Sequence, residues 1–455
     1  GAFRGPAARS VAVAKSKQAF ICVECGSYCA KWAGQCPECN AWNTLEPAAA
    51  TAKQSGKQPV MRRFSDLGDD LDVRYATGFS EFDRVLGGGL LPGAVVLVGG
   101  DPGVGKSTLL QQVSARLPDD VQVCYASGEE SLRQIGQRAE RLGLTGDNLA
   151  LLADTSLDNV LRVATESRAS VVVIDSMQTM SVGDVASAAG SVSQLRESVS
   201  RIVSFAKQNE VAVFIVGHVT KDGSIAGPRV VEHMVDTVLY FENDPSSRFS
   251  LIRSVKNRFG ASGEMGVFAM TEEGFREVTN PSAIFLSRET HAEPGSIVSV
   301  AWAGSRPLLV EVQALVAEGS GSPRRLAQGV DQNRLALLLA ILTRHGDTEL
   351  GGDDVFVNVV GGLRISETAV DLPIVLAILS SFRDRPLAEK LVCFGELGLA
   401  GEVRPVRYGA ERIQAALKQG FTRCILPEGN RPKRSPAGIE VIGVRRLRDA
   451  LDAAF

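Results

Sequence analysis

The sequence predicts an α/β protein built on a parallel sheet, with a small cysteine-rich module before it and an α+β domain after it. Three features carry that prediction: a glycine-rich stretch set between an apolar run and an amphipathic segment, two closely spaced Cys-x-x-Cys pairs near the start, and strand and helix patterns that alternate through the middle of the chain. A chain of 455 residues has room for about two to four domains, each able to bury its own core. No apolar run reaches the roughly 18 residues that span a bilayer, so the chain reads as soluble. The net charge of −3 confines any nucleic-acid contact to local basic patches.

The first acidic residue is Glu24, and Arg4, Arg9, Lys15 and Lys17 precede it among Ala, Gly and Ser. Without an apolar targeting core, residues 1–18 read as a flexible basic tail or a cloning remnant in preference to a trimmed transit peptide. Residues 19–45 follow as a zinc ribbon. Cys22 and Cys25 form one knuckle and Cys36 and Cys39 the other, and two knuckles aiming their thiolates at one point close a tetrahedral four-cysteine site for Zn2+. A closed site leaves no position for water, so the metal is structural and folds a segment too short to own a core. A redox dithiol is the rival reading, and Gly26 and Pro37 at the turns favour the ribbon. Cys29 is left over. Lys31, Trp32 and Trp42 either belong to a contact surface or, in the case of the tryptophans, cover the knuckles. Clustered cysteines of this kind argue for a reducing compartment, and Cys124, Cys393 and Cys424 read as buried small hydrophobes. Residues 46–63, rich in Ala, Gln, Ser and Gly, read as a mobile linker.

The core is expected over residues 64–278. Gly100, Asp101, Pro102, Gly103, Val104, Gly105, Lys106, Ser107 and Thr108 fit G-x-x-x-x-G-K-[ST], follow the apolar run Ala94 to Val98 and precede a helical pattern over Leu109 to Leu117. A strand that delivers such a loop to a helix N-terminus gathers backbone N–H groups and the positive end of a helix dipole around a phosphate, which makes the chain nucleotide-binding. Lys106 would reach the β- and γ-phosphates and Ser107 would hold Mg2+. Val121 to Ala126, Val171 to Ile174 and Val211 to Val216 read as buried strands, and Leu132 to Leu142 and Val192 to Gln208 as helices. Ligands of such sheets bind where the strands end. Asp175 suits the carboxylate that orients Mg2+ and its waters, or else a helix N-cap. Glu129 and Glu130 offer a carboxylate to polarise the attacking water, or open a solvated helix. His218 is a candidate sensor of the γ-phosphate.

Taken together, Thr77 through Thr108, Tyr125 through Ser131, Gly217 through Gly223 and Lys256-Asn257-Arg258-Phe259-Gly260 resemble the RadA (also called Sms) family of RecA-like recombination ATPases. The ribbon followed by Trp42-Asn43-Thr44 looks like that family's N-terminus, and the resemblance covers nearly the whole chain after residue 18. It implies a RecA-like core and a DNA-dependent ATPase, with ATP or ADP as its nucleotide, of the bacterial cytoplasm and nucleoid. It further implies a homo-oligomeric ring, a hexamer, that acts on single-stranded and branched DNA and drives strand exchange or branch migration in repair, with a RecA-type recombinase as partner. Lys256 and Arg258 would then serve the neighbouring subunit's ATP site or the DNA that crosses the ring.

Composition shifts at Asn280-Pro281, and residues 283–455 read as a further unit with strands over Pro294 to Val300, Leu308 to Val316 and Val355 to Val359 and helices over Gln332 to Leu342 and Ala369 to Ser380. Gly395 through Val406 resembles the Lon-type protease domain, which implies an α+β, ribosomal-protein-like fold. Lon-type proteases use a serine activated by a lysine. Their signatures, laid over this chain, put Ala369 at the nucleophile and Ala410 at the lysine, with Ser366 and Arg412 nearby, so the domain is expected to be a catalytically inactive scaffold. Arg431, Lys433, Arg434, Arg445, Arg446 and Arg448 offer it a basic surface. Two other readings stand beside this one: an ATP-dependent Lon-like protease, and a regulatory ATPase or autokinase of the KaiC kind, which shares the doubled Glu but needs neither ribbon nor Lon-like domain.

Overall fold

The computed structural model describes residues 20–47 apart from 26 and 30, then 73–218, 230–243, 249–286, 293–319 and 321–455. The expected tail 1–18, residues 48–63 of the expected linker, residues 64–72 and residues 219–223 after His218 lie outside the described residues. The chain divides into two compact units, residues 1–75 with 90–238 and residues 76–89 with 239–455.

In the ribbon, β1 (Phe20–Cys22) pairs antiparallel with β2 (Tyr28–Cys29) and β3 (Leu45–Pro47). The last strand carries the ribbon past the expected end at residue 45, because Glu46 and Pro47 pair with Ile21 and Phe20. Its buried cluster is Cys22, Cys36 and Leu45. Helix α1 (Ser80–Leu86) follows in sequence and belongs to the second unit.

The rest of the first unit alternates strand and helix: β4 (Val95–Gly100), α2 (Lys106–Arg116), β5 (Val123–Ser127), α3 (Leu132–Arg141), β6 (Leu149–Ala153), α4 (Leu157–Glu166), β7 (Val171–Asp175), α5 (Val192–Asn209), β8 (Ala212–His218) and α6 (Val230–Met234). Its strands lie in the order β4-β8-β7-β5-β6, all parallel. Every residue of β4, β5 and β7 is buried, as a parallel sheet covered on both faces requires. Ser131, Ser156 and Ser191 start α3, α4 and α5 by accepting the N–H three residues on. Helix α2 begins at Lys106, three residues ahead of the apolar pattern, because the end of the glycine-rich loop winds into its first turn.

The boundary between the units falls within β9 (Thr237–Asn243). In the second unit β10 (Phe249–Asn257), β11 (Met265–Thr271) and β12 (Gly274–Glu277) form an antiparallel meander. Helix α1 packs on it through an edge-to-face contact between Phe79 and Phe268, and Glu81 accepts the Val267 N–H at 2.9 Å. Beyond residue 293 come β13 (Ser296–Ala303), β14 (Arg306–Ala317), β15 (Arg325–Gln328), α7 (Gln332–His345), β16 (Asp354–Val359), α8 (Asp371–Phe382), β17 (Leu391–Cys393), the hairpin β18 (Glu396–Leu397) and β19 (Val403–Arg404), α9 (Gly409–Lys418), β20 (Arg423–Pro427), β21 (Glu440–Val444) and α10 (Leu447–Ala454). The expected helix from Ala369 is a 3-10 turn over Thr368–Val370 that leads into α8. The sheet is mixed, in the order β15-β16-β14-β13-β17-β20-β21, and each face has its own apolar core. One core holds Leu338, Leu376 and Leu451 of α7, α8 and α10, and the other holds Ile413 and Ala416 of α9.

Candidate nucleotide site and metal centre

Parallel register brings the sheet's chemistry to one edge. Gly100 at the end of β4 lies opposite His218 at the end of β8, and Ser127 at the end of β5 lies opposite Asp175 at the end of β7. Between β4 and α2 the loop turns through Gly103 (φ 81) and Gly105 (φ 95). A Cβ at Gly103 would meet nothing within 4 Å, so glycine is required there by the backbone conformation and not by crowding.

Lys106 is buried, and its Nζ donates to the carbonyls of Gly100 and Asp101, both at 2.8 Å. Burial pushes its pKa down while the carboxylates of Asp175, Asp101 and Glu129 push it back up. Asp175 is buried too. The Tyr125 hydroxyl donates to its Oδ2 at 2.6 Å, and the Ser107 side chain also hydrogen-bonds it. Burial raises the Asp175 carboxyl above the ordinary range, against the pull of those two hydrogen bonds. Ser107 and Asp175, the pair expected on the Mg2+ side, are thus near enough for the serine to lower the carboxyl's pKa.

The doubled glutamate splits. Ser127 Oγ accepts the N–H of Glu129 at 3.3 Å and of Glu130 at 3.0 Å, which fixes the turn. Glu129 reaches back along the strand ends: its Oε1 accepts from the Ser176 hydroxyl and lies 3.2 Å from His218 Nε2. Glu130 instead forms an ion pair with Arg138 on α3. Lys106, Ser107, Asp175, Glu129 and His218 thus share one strand-end constellation. Sequence reasoning missed Tyr125 and Ser176; a tyrosine inside an otherwise apolar buried strand, beside a strand that ends in Asp, was the available signal. Lys256 and Arg258 lie in the second unit, at and just beyond the end of β10.

In the ribbon the sulfurs of Cys22, Cys25, Cys36 and Cys39 all lie within 4.8 Å of one another, with Cys22 to Cys39 and Cys25 to Cys36 both at 3.6 Å. A tetrahedral zinc with bonds of about 2.3 Å spaces its sulfurs about 3.8 Å apart, so the four thiols fit the ion. The four thiols share their protons unevenly: the backbone of Cys39 and the hydroxyl of Ser27 pull the Cys36 thiol down, while, against the backbone of Ala41, burial and the three neighbouring thiols push that of Cys39 up. Trp32 and Trp42 are 58% and 70% exposed, so they do not cover the knuckles.

In the Lon-like domain Ala369 is buried and Ala410 is exposed. Arg412 is 1% exposed. Its guanidinium pairs with Glu367 (Nη2 to Oε2 2.7 Å, Nη1 to Oε1 3.0 Å) and donates to the carbonyls of Arg407 and Val300, with the rings of Trp302 and Phe394 at 5.7 and 5.8 Å.

A glycine-rich loop at the head of a parallel sheet, with its lysine, serine and facing aspartate in place, defines a P-loop ATPase with a RecA-like fold. The model for an AAA domain matches residues 62–224, that for a rubredoxin metal binding domain matches 20–47, and that for subunit ChlI of Mg-chelatase matches 337–430, within the Lon-like region. The DNA repair protein RadA of Pseudomonas aeruginosa is 52% identical over 452 residues, covering 97% of this chain and 100% of the relative. Those of Escherichia coli K12 and Bacillus subtilis 168 are 51% and 46% identical, each over 96% of this chain and over 98% and 99% of their own lengths. Among solved structures, the crystal structure of the RadB recombinase aligns at 22% identity with a TM-score of 0.37, covering 45% of this chain and 99% of that one. The chain belongs to the RadA family of DNA repair proteins.

Proposed function

We propose that this protein is a DNA-dependent ATPase that assembles as a ring, a hexamer, on single-stranded DNA and promotes strand exchange or branch migration of recombination intermediates. The observation that carries the reading is the strand-end constellation of Lys106, Ser107, Asp175, Glu129 and His218 in a chain about half identical, over nearly its full length, to DNA repair proteins. Lys106 would turn from the loop carbonyls to the β- and γ-phosphates. Ser107 would hold Mg2+, with Asp175 orienting the waters around it; when bound, Mg2+ neutralises charge on the transferring phosphoryl group. Glu129, aimed along the strand ends, is better placed than Glu130 to polarise the attacking water, and His218 beside it would report the state of the γ-phosphate. Zn2+ on the four ribbon cysteines would be structural. Lys256 and Arg258 would act at a neighbouring subunit's nucleotide or on DNA.

The Lon-like domain would be a scaffold and not a peptidase. In support, the residue at its nucleophile position is a buried alanine, and the Arg412 guanidinium is engaged by a carboxylate and two carbonyls. The deciding experiment measures ATP turnover with and without single-stranded DNA, and casein degradation with ATP. Turnover is expected to rise with DNA and casein to survive. A turnover indifferent to DNA would overturn the DNA dependence, and ATP-driven proteolysis lost in Ser366→Ala would overturn the scaffold.

A further inference from the structure

We infer that Asn257, together with a close backbone contact between Gly87 and Gly260, clamps the loop bearing Lys256 and Arg258 to the end of α1 and so sets where those two cations reach. The inference rests on the role proposed above for Lys256 and Arg258. Strand β10 ends at Asn257, which places Lys256 on the last step of the strand and Arg258 just past it. Between them, the Asn257 side chain makes two bonds of opposite polarity: Nδ2 donates to the Val85 carbonyl in the last turn of α1 at 3.3 Å, and Oδ1 accepts the Phe259 N–H at 2.9 Å. The first satisfies a carbonyl that a helix end leaves without an intrahelical donor, and the second closes the loop on itself.

The contact beneath it is made by backbone. A Cβ at Gly260 would lie 2.7 Å from Gly87 Cα and 3.2 Å from Asn257 Nδ2. One at Gly87 would lie 2.9 Å from the Phe259 carbonyl oxygen and 3.0 Å from Gly260 Cα. Gly87 is also the left-handed C-cap of α1, at φ 89 and ψ 27, so it is glycine for conformation as well as for space. Backbone against backbone has no flexible side chain to give way. The loop therefore has one seat on α1.

The helix itself does not depend on this seat. It is held to the meander by Phe79 on Phe268 and by Glu81, which accepts the Val267 N–H and pairs with Arg306. Removing the Asn257 amide should release the loop and leave α1 in place. A positioning role then separates from a merely structural one, because the first alters the response to DNA and the second alters only thermal stability.

The test uses the full chain and four alanine variants, Asn257→Ala, Gly260→Ala, Lys256→Ala and Arg258→Ala, with Asn257→Asp as the conservative change that keeps the acceptor for the Phe259 N–H and loses the donor to Val85. ATP turnover is measured over a titration of single-stranded DNA. Asn257→Ala and Gly260→Ala are expected to lose about fivefold or more of the DNA stimulation of kcat with KM for ATP within about twofold, and Asn257→Asp to fall between them and the parent. Their Tm values should stay within about 2 °C of the parent. If Lys256→Ala and Arg258→Ala lose stimulation while both clamp variants keep it, the cations work without the clamp and the inference fails. A lowered Tm in the clamp variants with an unchanged stimulation ratio also overturns it. Stimulation that survives in Lys256→Ala and Arg258→Ala too would instead remove the role proposed for the cations, and the clamp with it.

Discussion

Lys106 sits where burial and charge oppose each other. Its ammonium is buried and donates to two loop carbonyls, and the same three carboxylates that favour its charged form line the nucleotide edge of the sheet. On the role proposed for it, Lys106→Ala removes a phosphate contact, so hydrolysis should fall by about a hundredfold or more while far-UV circular dichroism is unchanged. Turnover within about twofold of the parent would mean that this lysine does not stabilise the transferring phosphoryl group. The glutamate pair makes a sharper claim. Glu129 faces Ser176 and His218, whereas Glu130 is tied to Arg138. Glu129→Gln should therefore cost more in kcat than Glu130→Gln, since only the first removes a carboxylate from the strand-end cluster. The reverse order would show that the turn after β5 rearranges before catalysis.

Within the ribbon, the weight of the metal can be set against that of the core. Burying Leu45 is worth about 2 kcal/mol, whereas structural zinc sites carry apparent binding free energies of about 10–16 kcal/mol. The ribbon should therefore unfold when its metal is removed, and limited proteolysis after chelation should cleave within residues 20–47 while the ATPase core survives. Cys36→Ser should lose the metal, and full zinc occupancy in that variant would refute the assignment of the four ligands. Elements such as this were legible because their chemistry is local: two knuckles lie within eighteen residues, and β4, β7 and β8 are continuous apolar runs. Strand β6 was not legible although Leu149-Ala150-Leu151-Leu152-Ala153 is an apolar run: Leu and Ala are helix formers without β-branching, and the strand lies at the sheet edge with its five residues each half-buried or exposed. Pairs made across the fold were hidden as well. Tyr125 meets Asp175 fifty residues on, and Glu81 meets the N–H of Val267 at a separation of 186, and no local pattern announces either. Arg412 was seen as a residue near a missing lysine; that its buried guanidinium pairs with the partly exposed Glu367 is a tertiary fact.

At the scale of the whole molecule, the role proposed for Lys256 and Arg258 divides into action on a neighbouring subunit's nucleotide and action on DNA. The phosphate loop lies in the first compact unit and both cations in the second, so the two sets can be inactivated separately. A ring of identical chains uses heterologous interfaces, each joining two different surfaces of the same protein. Consider Lys106→Ala and Lys256→Ala proteins, each inactive alone, mixed in equal amounts and allowed to assemble. If Lys256 completes the neighbour's ATP site, an interface is productive when an intact phosphate loop from a Lys256→Ala subunit meets an intact Lys256 from a Lys106→Ala subunit. With random mixing and independent interfaces, roughly a quarter of the interfaces meet that condition, so the mixture should recover roughly a quarter of the parent's DNA-stimulated turnover. Should Lys256 act only on its own subunit's nucleotide, every chain in the mixture carries one disabling change and turnover stays at the level of the single variants. A DNA-binding role predicts a third pattern: the Lys256→Ala protein hydrolyses ATP when DNA is raised to compensating concentrations, and the salt dependence of its DNA affinity is shallower than the parent's by about one ion. Running the mixture at low and high DNA, with the salt series beside it, distinguishes these outcomes, and recovery in the mixture that does not depend on DNA concentration assigns Lys256 to the subunit interface.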